Sequence, residues 1–511
     1  MEEQAIEQQT QLQKIIDRFE KAKSSRTNWE SHWEECYDYA LPQRSDQSNF
    51  GLTGTSRVKT LYDATALDAV DQLAASLLGH LTPPWTPWFG FKAGPDMSDE
   101  DAQKITPLLE DIARKIQSHL DRSNFAVEIH QCFLDLVVGG TSTIFFEETQ
   151  VGEYSAFKFA SVPLYDVILE EGDNGFLEGA YRKLSLTLSG LQNRYKTIEL
   201  PPHIVSEGER NSDTKFDVLE SVLPEQGQYS YTAILLNNGT PILLKEGNFQ
   251  KSPAISFRWM KSPGEVYGRS PVMKSLPNIK TANKVVELIL KNASIAVTGI
   301  WQADDDGVLN PANIELVPGA IIPKAVGSQG LRPLEMPGRF DLSELVLNDL
   351  RSRIRHALLA DKLGPVVSKK MSATEVLERS AEMSLLLGAT YGRLQSELLT
   401  PLIERAFSIL KRRGEIPDIA LDGRNIMIDF RSPLSRMQGQ GHVQNVLSFL
   451  NTVLSMGGQA ASSIDVNKTT KFLAESMGIP DDLIAQQIIP DVSLEDLQKI
   501  SIDMGGDNAE A

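Results

Sequence analysis

Two cysteines in 511 residues, Cys36 and Cys132, cannot supply a disulfide framework. Reduced thiols in a fold that rests on its own core are the expectation. The seven histidines are scattered, and no two stand four apart on a helix, so a histidine-based metal site is not expected. No H-E-x-x-H zinc motif, G-x-S-x-G elbow or G-x-x-x-x-G-K-[ST] phosphate loop occurs. The glycine-rich segment Gly51-Leu52-Thr53-Gly54-Thr55-Ser56 lacks the lysine that a phosphate loop needs. Long hydrophobic runs are missing too. The densest, near 134–138, contains Asp135 and stops at Gly139, far short of the roughly twenty apolar residues of a membrane span. The N-terminal Met1-Glu2-Glu3-Gln4 is acidic and polar, unlike a secretory signal. Positive charge is also short: Lys and Arg number 50 against 68 Asp and Glu, for a net charge of -18. A conventional nucleic-acid binder would be basic. These absences disfavour most hydrolases, a packaging-type ATPase and a membrane anchor, and they leave no cofactor, metal or catalytic residue to name.

What is present is α+β patterning. Residues 1–40 read as a helix with Leu12, Ile15, Ile16 and Phe19 on one face, ended by Leu41-Pro42. Residues 62–81 form a second amphipathic helix, with Leu67, Val70, Ala74, Leu77 and Leu81 in step. The stretch Thr82-Pro83-Pro84-Trp85-Thr86-Pro87-Trp88-Phe89 stops it, and its aromatics are read as a core plug in preference to a groove for a Pro-rich ligand. Helices are expected over 99–121 and 125–138. The period then changes, with strands at 143–148, 157–161, 166–170, 216–222 and 229–236, and a hairpin turn at Asn237-Asn238-Gly239.

From Tyr267 onward the pattern is different. Ser270 is a candidate N-cap and Pro271 a first helical residue, followed by Ile279, Ala282, Val286, Ile289, Ala293 and Ala296 at helical spacing. About forty residues punctuated by Asp306-Gly307, Pro318-Gly319 and Pro337-Gly338 come next, with Ala320-Ile321-Ile322 as a short strand. Asp304-Asp305-Asp306 lacks the alternating spacing of a calcium loop and reads as an exposed turn. A second helix starts at Asp341 with Glu344 as its capping partner. A third starts at the Ser372/Glu375 capping box. It carries an apolar seam through Leu394, Leu398, Leu402 and Ile409 and ends at Gly414. Pro401 lies in that seam and is expected to kink the helix, since its ring removes a hydrogen bond and crowds the preceding turn. A strand at 426–430 is expected to return to the sheet, and further helical pieces follow residue 441.

The stretch at 267–309, YGRSPVMKSLPNIKTANKVVELILKNASIAVTGIWQADDDGVL, resembles the stem and clip entry of portal proteins, the head-to-tail connectors of tailed phages. Residues 61–91 resemble the N-terminal signature of the short-tailed, podovirus branch, and Met371-Ser372-Ala373-Thr374-Glu375-Val376 the start of that family's long helix. Together the three cover about residues 27–436. The resemblance implies a ring-forming portal fold, mainly helical, with an antiparallel β wing and a small β clip. It implies a wing at 1–269, stem helices at 270–298 and 341–361, a clip at 299–340, a tunnel loop at 362–372, a long helix returning to the wing at 373–436 and a helical crown at 437–511. The implied function is a dodecameric channel for double-stranded DNA during packaging and ejection, in the virion and, before that, in host cytoplasm. The implied partners are the terminase motor, tail adaptor proteins, major capsid and scaffold proteins and internal ejection proteins, with no membrane.

One charge pattern then gains meaning. Arg351, Arg353, Arg355, Lys362, Lys369 and Lys370 face a single acid, Asp361, between residues 351 and 370. By the resemblance, Lys362, Lys369 and Lys370 would touch DNA phosphates weakly, and Arg351, Arg353 and Arg355 would face the channel from the stem. The competing reading is a helix end whose cations complement its dipole. An acidic wall suits a channel through which DNA must slide. The alternatives to a portal are a virion nuclease or ATPase motor component, and an adaptor ring that passes no DNA.

Overall fold

Helix α1, Glu2–Ala40, runs along one face of a five-stranded antiparallel sheet. That sheet is a meander of β4 (Val167–Glu171), β5 (Leu177–Thr187), β6 (Lys215–Glu225), β7 (Gln228–Leu236) and β8 (Ile242–Phe249). Side chains alternate across its plane. Tyr181, Leu219 and Ile234 meet Leu12 and Phe19 of α1, while Val218, Ala233 and Leu235 point the other way, onto α5 (Leu188–Arg194) and α6 (Pro202–Arg210) through Leu191 and Ile204. Burial on both faces explains why apolar residues occupy both sides of β6 and β7, as in Val218-Leu219 and Ala233-Ile234-Leu235. Gln226 and Gly227, both at positive φ, form the two-residue turn between them, matched by Glu225 opposite Gln228.

The computed structural model describes residues 2–44, 61–196, 200–236, 241–298, 301–303, 331–333, 340–363, 390–419, 423–424, 426–432 and 446–453, with 388, 421, 455, 469–470 and 473. The chain divides into two compact units. The first comprises Met1–Leu78, Lys115–Lys369 and Ala389–Ile419; the second comprises Gly79–Arg114, Lys370–Gly388 and Ala420–Ala511.

In the first unit, helix α4 (Phe125–Gly139) covers a second antiparallel sheet, ordered β3 (Phe157–Val162), β2 (Thr141–Glu148), β9 (Ala254–Arg258). Phe146 meets Phe157 edge-on and Phe159 at a tilt there, with centroids 5.1 and 4.4 Å away. Cys36 and Cys132 are buried and unpaired, and burial pushes both thiols up to about 12. Helix α2 is Thr65–Leu81, starting later than the sequence pattern suggests, and α3 is Asp99–Arg122. No helix among the described residues is long and apolar enough to cross a membrane.

In the second unit, β1 (Phe89–Ala93) pairs with β12 (Ile426–Phe430), Phe89 opposite Phe430. This corrects one expectation: the late strand does not return to the large sheet but makes a two-stranded sheet of its own. The aromatic plug is corrected in part. Trp88 and Phe89 are buried, with centroids 4.8 Å apart, but Trp85 is 71% exposed, because the prolines around it hold it on the outside of the turn. The turn expected at Asn237-Asn238-Gly239, the strand at Ala320-Ile321-Ile322, the acidic turn at 304–306 and the Ser372/Glu375 capping box lie outside the described residues.

Candidate functional site

The Tyr-Gly-Arg-Ser-Pro sequence builds the socket from which helix α7, Pro271–Thr298, departs. Ser270 caps it, its Oγ accepting from the Met273 N–H at 2.9 Å and donating to the Val138 carbonyl at 2.8 Å. The Gly268 N–H donates to Thr141 Oγ1 at 2.8 Å, and a Cβ on Gly268 would stand 2.3 Å from the Gly140 carbonyl oxygen. The Tyr267 hydroxyl accepts from the Leu169 N–H at 3.2 Å. Tyr267, Gly268 and Ser270 therefore anchor the start of the helix to α4, β2 and β4.

Helix α7 packs against α8, Phe340–Ala357, and a short antiparallel pair, β10 (Trp301–Ala303) with β11 (Leu331–Pro333), lies between them in sequence. The two helices are unequal, at 28 and 18 residues. The helix expected over 341–361 is interrupted: it stops at Ala357, Leu359 adopts a positive φ of 57°, and a separate short helix, α9 (Ala360–Leu363), follows. Left-handed backbone at a residue without glycine's freedom ends the α-helical hydrogen-bond ladder there. Val272, Leu276, Ile279 and Ala282 of α7 are buried, as are Leu347 and Ile354 of α8. Leu288 and Leu290 on α7, and Leu345 and Val346 on α8, are exposed.

A polar clasp that the sequence pattern did not reveal joins the two helices to the start of α2. Asn283 Oδ1 accepts from the backbone N–H groups of Tyr62 and Asp63 at 2.6 and 3.1 Å. The Asp63 carboxylate accepts from the Thr65 N–H at 2.9 Å and from Arg351 Nε at 2.8 Å. Burial works against that carboxylate, but Thr65 and Arg351 outweigh it and hold its pKa below the ordinary carboxylate value. The clasp is therefore stabilising above the unfolded aspartate pKa of about 4 and is lost as pH falls through the lower folded value. Asp63→Asn keeps an acceptor for Thr65 but removes the ion pair. With Arg351 partly solvated, it should cost about 1–2 kcal/mol at pH 7 in denaturant titration. The gap to the parent should close as pH drops below about 4; a gap unchanged at pH 3 would show that the pair contributes nothing.

Arg351 is thus committed to a buried acid. Arg353 pairs with Asp349 at 2.9 Å on the helix surface, and Arg355 is exposed in the last turn of α8. Lys362 has its backbone in α9, while Lys369 and Lys370 lie outside the described residues.

Pro401 occupies the first turn of α10, Thr400–Arg413, directly after a π-helical turn, Gln395–Leu399. The wider π-turn carries three consecutive buried side chains, Glu397, Leu398 and Leu399. Glu397 meets Arg258 at the end of β9: Oε2 accepts from the Arg258 backbone N–H at 2.9 Å and Oε1 from its Nη2 at 2.7 Å. Arg393 Nη1 adds a bond to Oε1 at 3.0 Å. Arg258, fully buried, also donates to the Gly175 and Val266 carbonyls and to Glu171. A second buried acid, Glu220, accepts through Oε1 from Arg194, Tyr195 and Tyr231 at 2.8–3.0 Å, and burial beside that charge pushes both phenols up. These networks hold the sheets and helices in register.

Residues 12–484 match the family model described as bacteriophage head to tail connecting protein. The chain belongs to that family. It is a structural component of the junction between the head and tail of a phage virion. Similar relatives include the portal protein of Salmonella phage epsilon15, 24% identical with 94% of this chain and 90% of the relative covered. A probable portal protein of Bordetella phage BPP-1 is 23% identical over 93% and 89%. The portal protein of Escherichia phage T7 is 21% identical over 78% and 75%. Among solved structures, a chain of the virion of a native gene transfer agent particle aligns at a TM-score of 0.37 and 11% identity, covering 87% of this chain and 99% of that one.

Proposed function

We propose that the chain is the portal subunit of a short-tailed phage: a ring at one capsid vertex through which double-stranded DNA enters during packaging and leaves during ejection. The observation that carries this reading is the family match over residues 12–484, which spans the paired helices and all four sheets among the described residues. The geometry agrees with it. Helices α7 and α8 pack on each other yet leave Leu288, Leu290, Leu345 and Val346 in solvent, and a closed ring supplies each subunit with a neighbour to cover such a face. The ring is proposed as twelvefold, with a wing at 1–269, stem at 270–298 and 341–357, clip at 299–340, tunnel loop at 362–372, the long helix at 373–436 and crown at 437–511. Its proposed partners are the packaging motor, the tail adaptor, the major capsid and scaffold proteins and internal ejection proteins. The protein hydrolyses nothing; its work is geometric and electrostatic. Lys362, Lys369 and Lys370 are proposed to touch phosphates without reading sequence, and Arg355 is the stem cation best placed to help, since Arg351 and Arg353 are paired.

Native mass spectrometry and end-on electron microscopy of the purified protein test the ring. A closed assembly whose hole admits a duplex is expected, and monomers or dimers across a range of salt would defeat it. In assembled particles, Lys369→Ala with Lys370→Ala should leave the ring intact and weaken DNA retention. That effect should shrink as salt rises, because each lost phosphate contact lowers the salt slope by about one.

A further inference from the structure

The π-turn at Gln395–Leu399 holds one residue more than an α-helix would accommodate in the same length. Two features keep it wide. Pro401 has no N–H for the carbonyl of Glu397, four residues back, and in an α-helix its ring would collide with that carbonyl. Glu397 is drawn sideways onto Arg258, whose backbone N–H and guanidinium it binds at 2.9 and 2.7 Å. The Thr400 N–H reaches back five residues to the Gln395 carbonyl, so the helix is continuous through the turn. Tyr391 and Leu394 before it are buried, as are Leu402 and Ile403 after it.

We propose that this turn is a two-register joint and that Glu397 is the residue that latches it. In the second register the Thr400 N–H moves to the Ser396 carbonyl and the extra residue is absorbed into a regular helix. Residues 390–394 then screw past α10 by one position, about 100° and 1.5 Å. Gly392, now exposed, moves into the place of Tyr391, and Gln395 into that of Leu394. The cost of burying Gln395 and stripping Glu397 from Arg258 keeps the observed register at rest. A one-residue screw at this point would turn residues 390–394 without disturbing α10. Only the consequence for DNA passage rests on the portal reading; the joint itself does not.

A Gly392→Cys reporter tests it. No heavy atom lies within 4 Å of a Cβ added there, and the two native thiols are buried, so labelling by a maleimide reports that position alone. Adding Glu397→Gln together with Pro401→Ala removes both features that hold the turn wide and should slow labelling at least tenfold as residue 392 turns inward. Deleting Ser396 in the same chain removes the surplus residue, leaves both flanks in their present places and should restore the rate to within about twofold. Loss of packing alone would speed labelling and would not be rescued by a deletion. An unchanged rate in the doubly substituted protein, or no rescue by the deletion, overturns the joint. If that protein does not fold, as judged by circular dichroism, Pro401→Ala alone replaces it with slowing in the same direction expected, since it restores the N–H that the second register uses. Altered labelling with unaltered DNA retention would refute only the link to the channel.

Discussion

Arg258→Met is expected to lower the unfolding free energy by about 3 kcal/mol, because it strips the buried Glu397 carboxylate of its main partner and leaves it only the half-buried Arg393. Arg258 is fully buried at the end of β9 and holds Glu397, Glu171 and two carbonyls at once. Its loss would unsettle the sheet edge, the turn at Gly175 and the π-turn together. Replacing Glu397 by Leu in the same chain removes the stranded charge and should recover more than half of the loss, while Glu171 keeps Lys261 as a partner. The check is a guanidinium titration of parent, single and double variants. If the double variant is less stable than the single, the pair is held by packing and not by charge. Unfolding of so large a chain need not be two-state, so midpoints should be compared only where circular dichroism and fluorescence coincide.

Leu290→Glu together with Leu345→Glu is expected to abolish the ring while leaving the subunit folded. Both side chains are more than half exposed in the single chain, so neither contributes a buried contact to it. If each is covered by a neighbouring copy, its burial supplies about 1.5–3 kcal/mol. Losing both would raise the concentration needed for assembly by roughly two to four orders of magnitude. Light scattering across a dilution series measures this. Assembly at the parent's concentration would show that these leucines face something other than a second subunit.

Much of the secondary structure could be read from the sequence where one face of an element is buried and the other is wet. Helix α1 and the α7 entry were legible for that reason: Leu12 and Phe19 mark a stripe, and Ser270-Pro271 marks a start. Strands β5, β8 and β9 were not legible. Leu177–Thr187 mixes exposed and buried positions beside a polar cluster, and Ala254–Arg258 is buried at every residue, so neither shows a clean alternation. The break at Leu359 carries no glycine or proline to announce it. The charged networks were invisible for a different reason. Asp63 and Arg351 are 288 residues apart, and Arg258 and Glu397 are 139 apart. Local spacing says nothing about such pairs, and an arginine that closes a buried network looks the same in sequence as one that reaches for phosphate. Arg351 illustrates this: it belongs to a local excess of positive charge in sequence, yet in the fold it is paired with a distant acid, Asp63.

Gly140 and Gly268 meet backbone to backbone: a Cβ on either would come within 2.3 Å of the other's carbonyl oxygen. The obstacle at each site is main chain, which no mutation can trim. A larger residue at one position therefore has no compensating partner at the other. In a library that randomises both codons together, the two should appear as independent fixed points and never as a covarying pair. A contact of this kind leaves no correlated trace, however close it is in space.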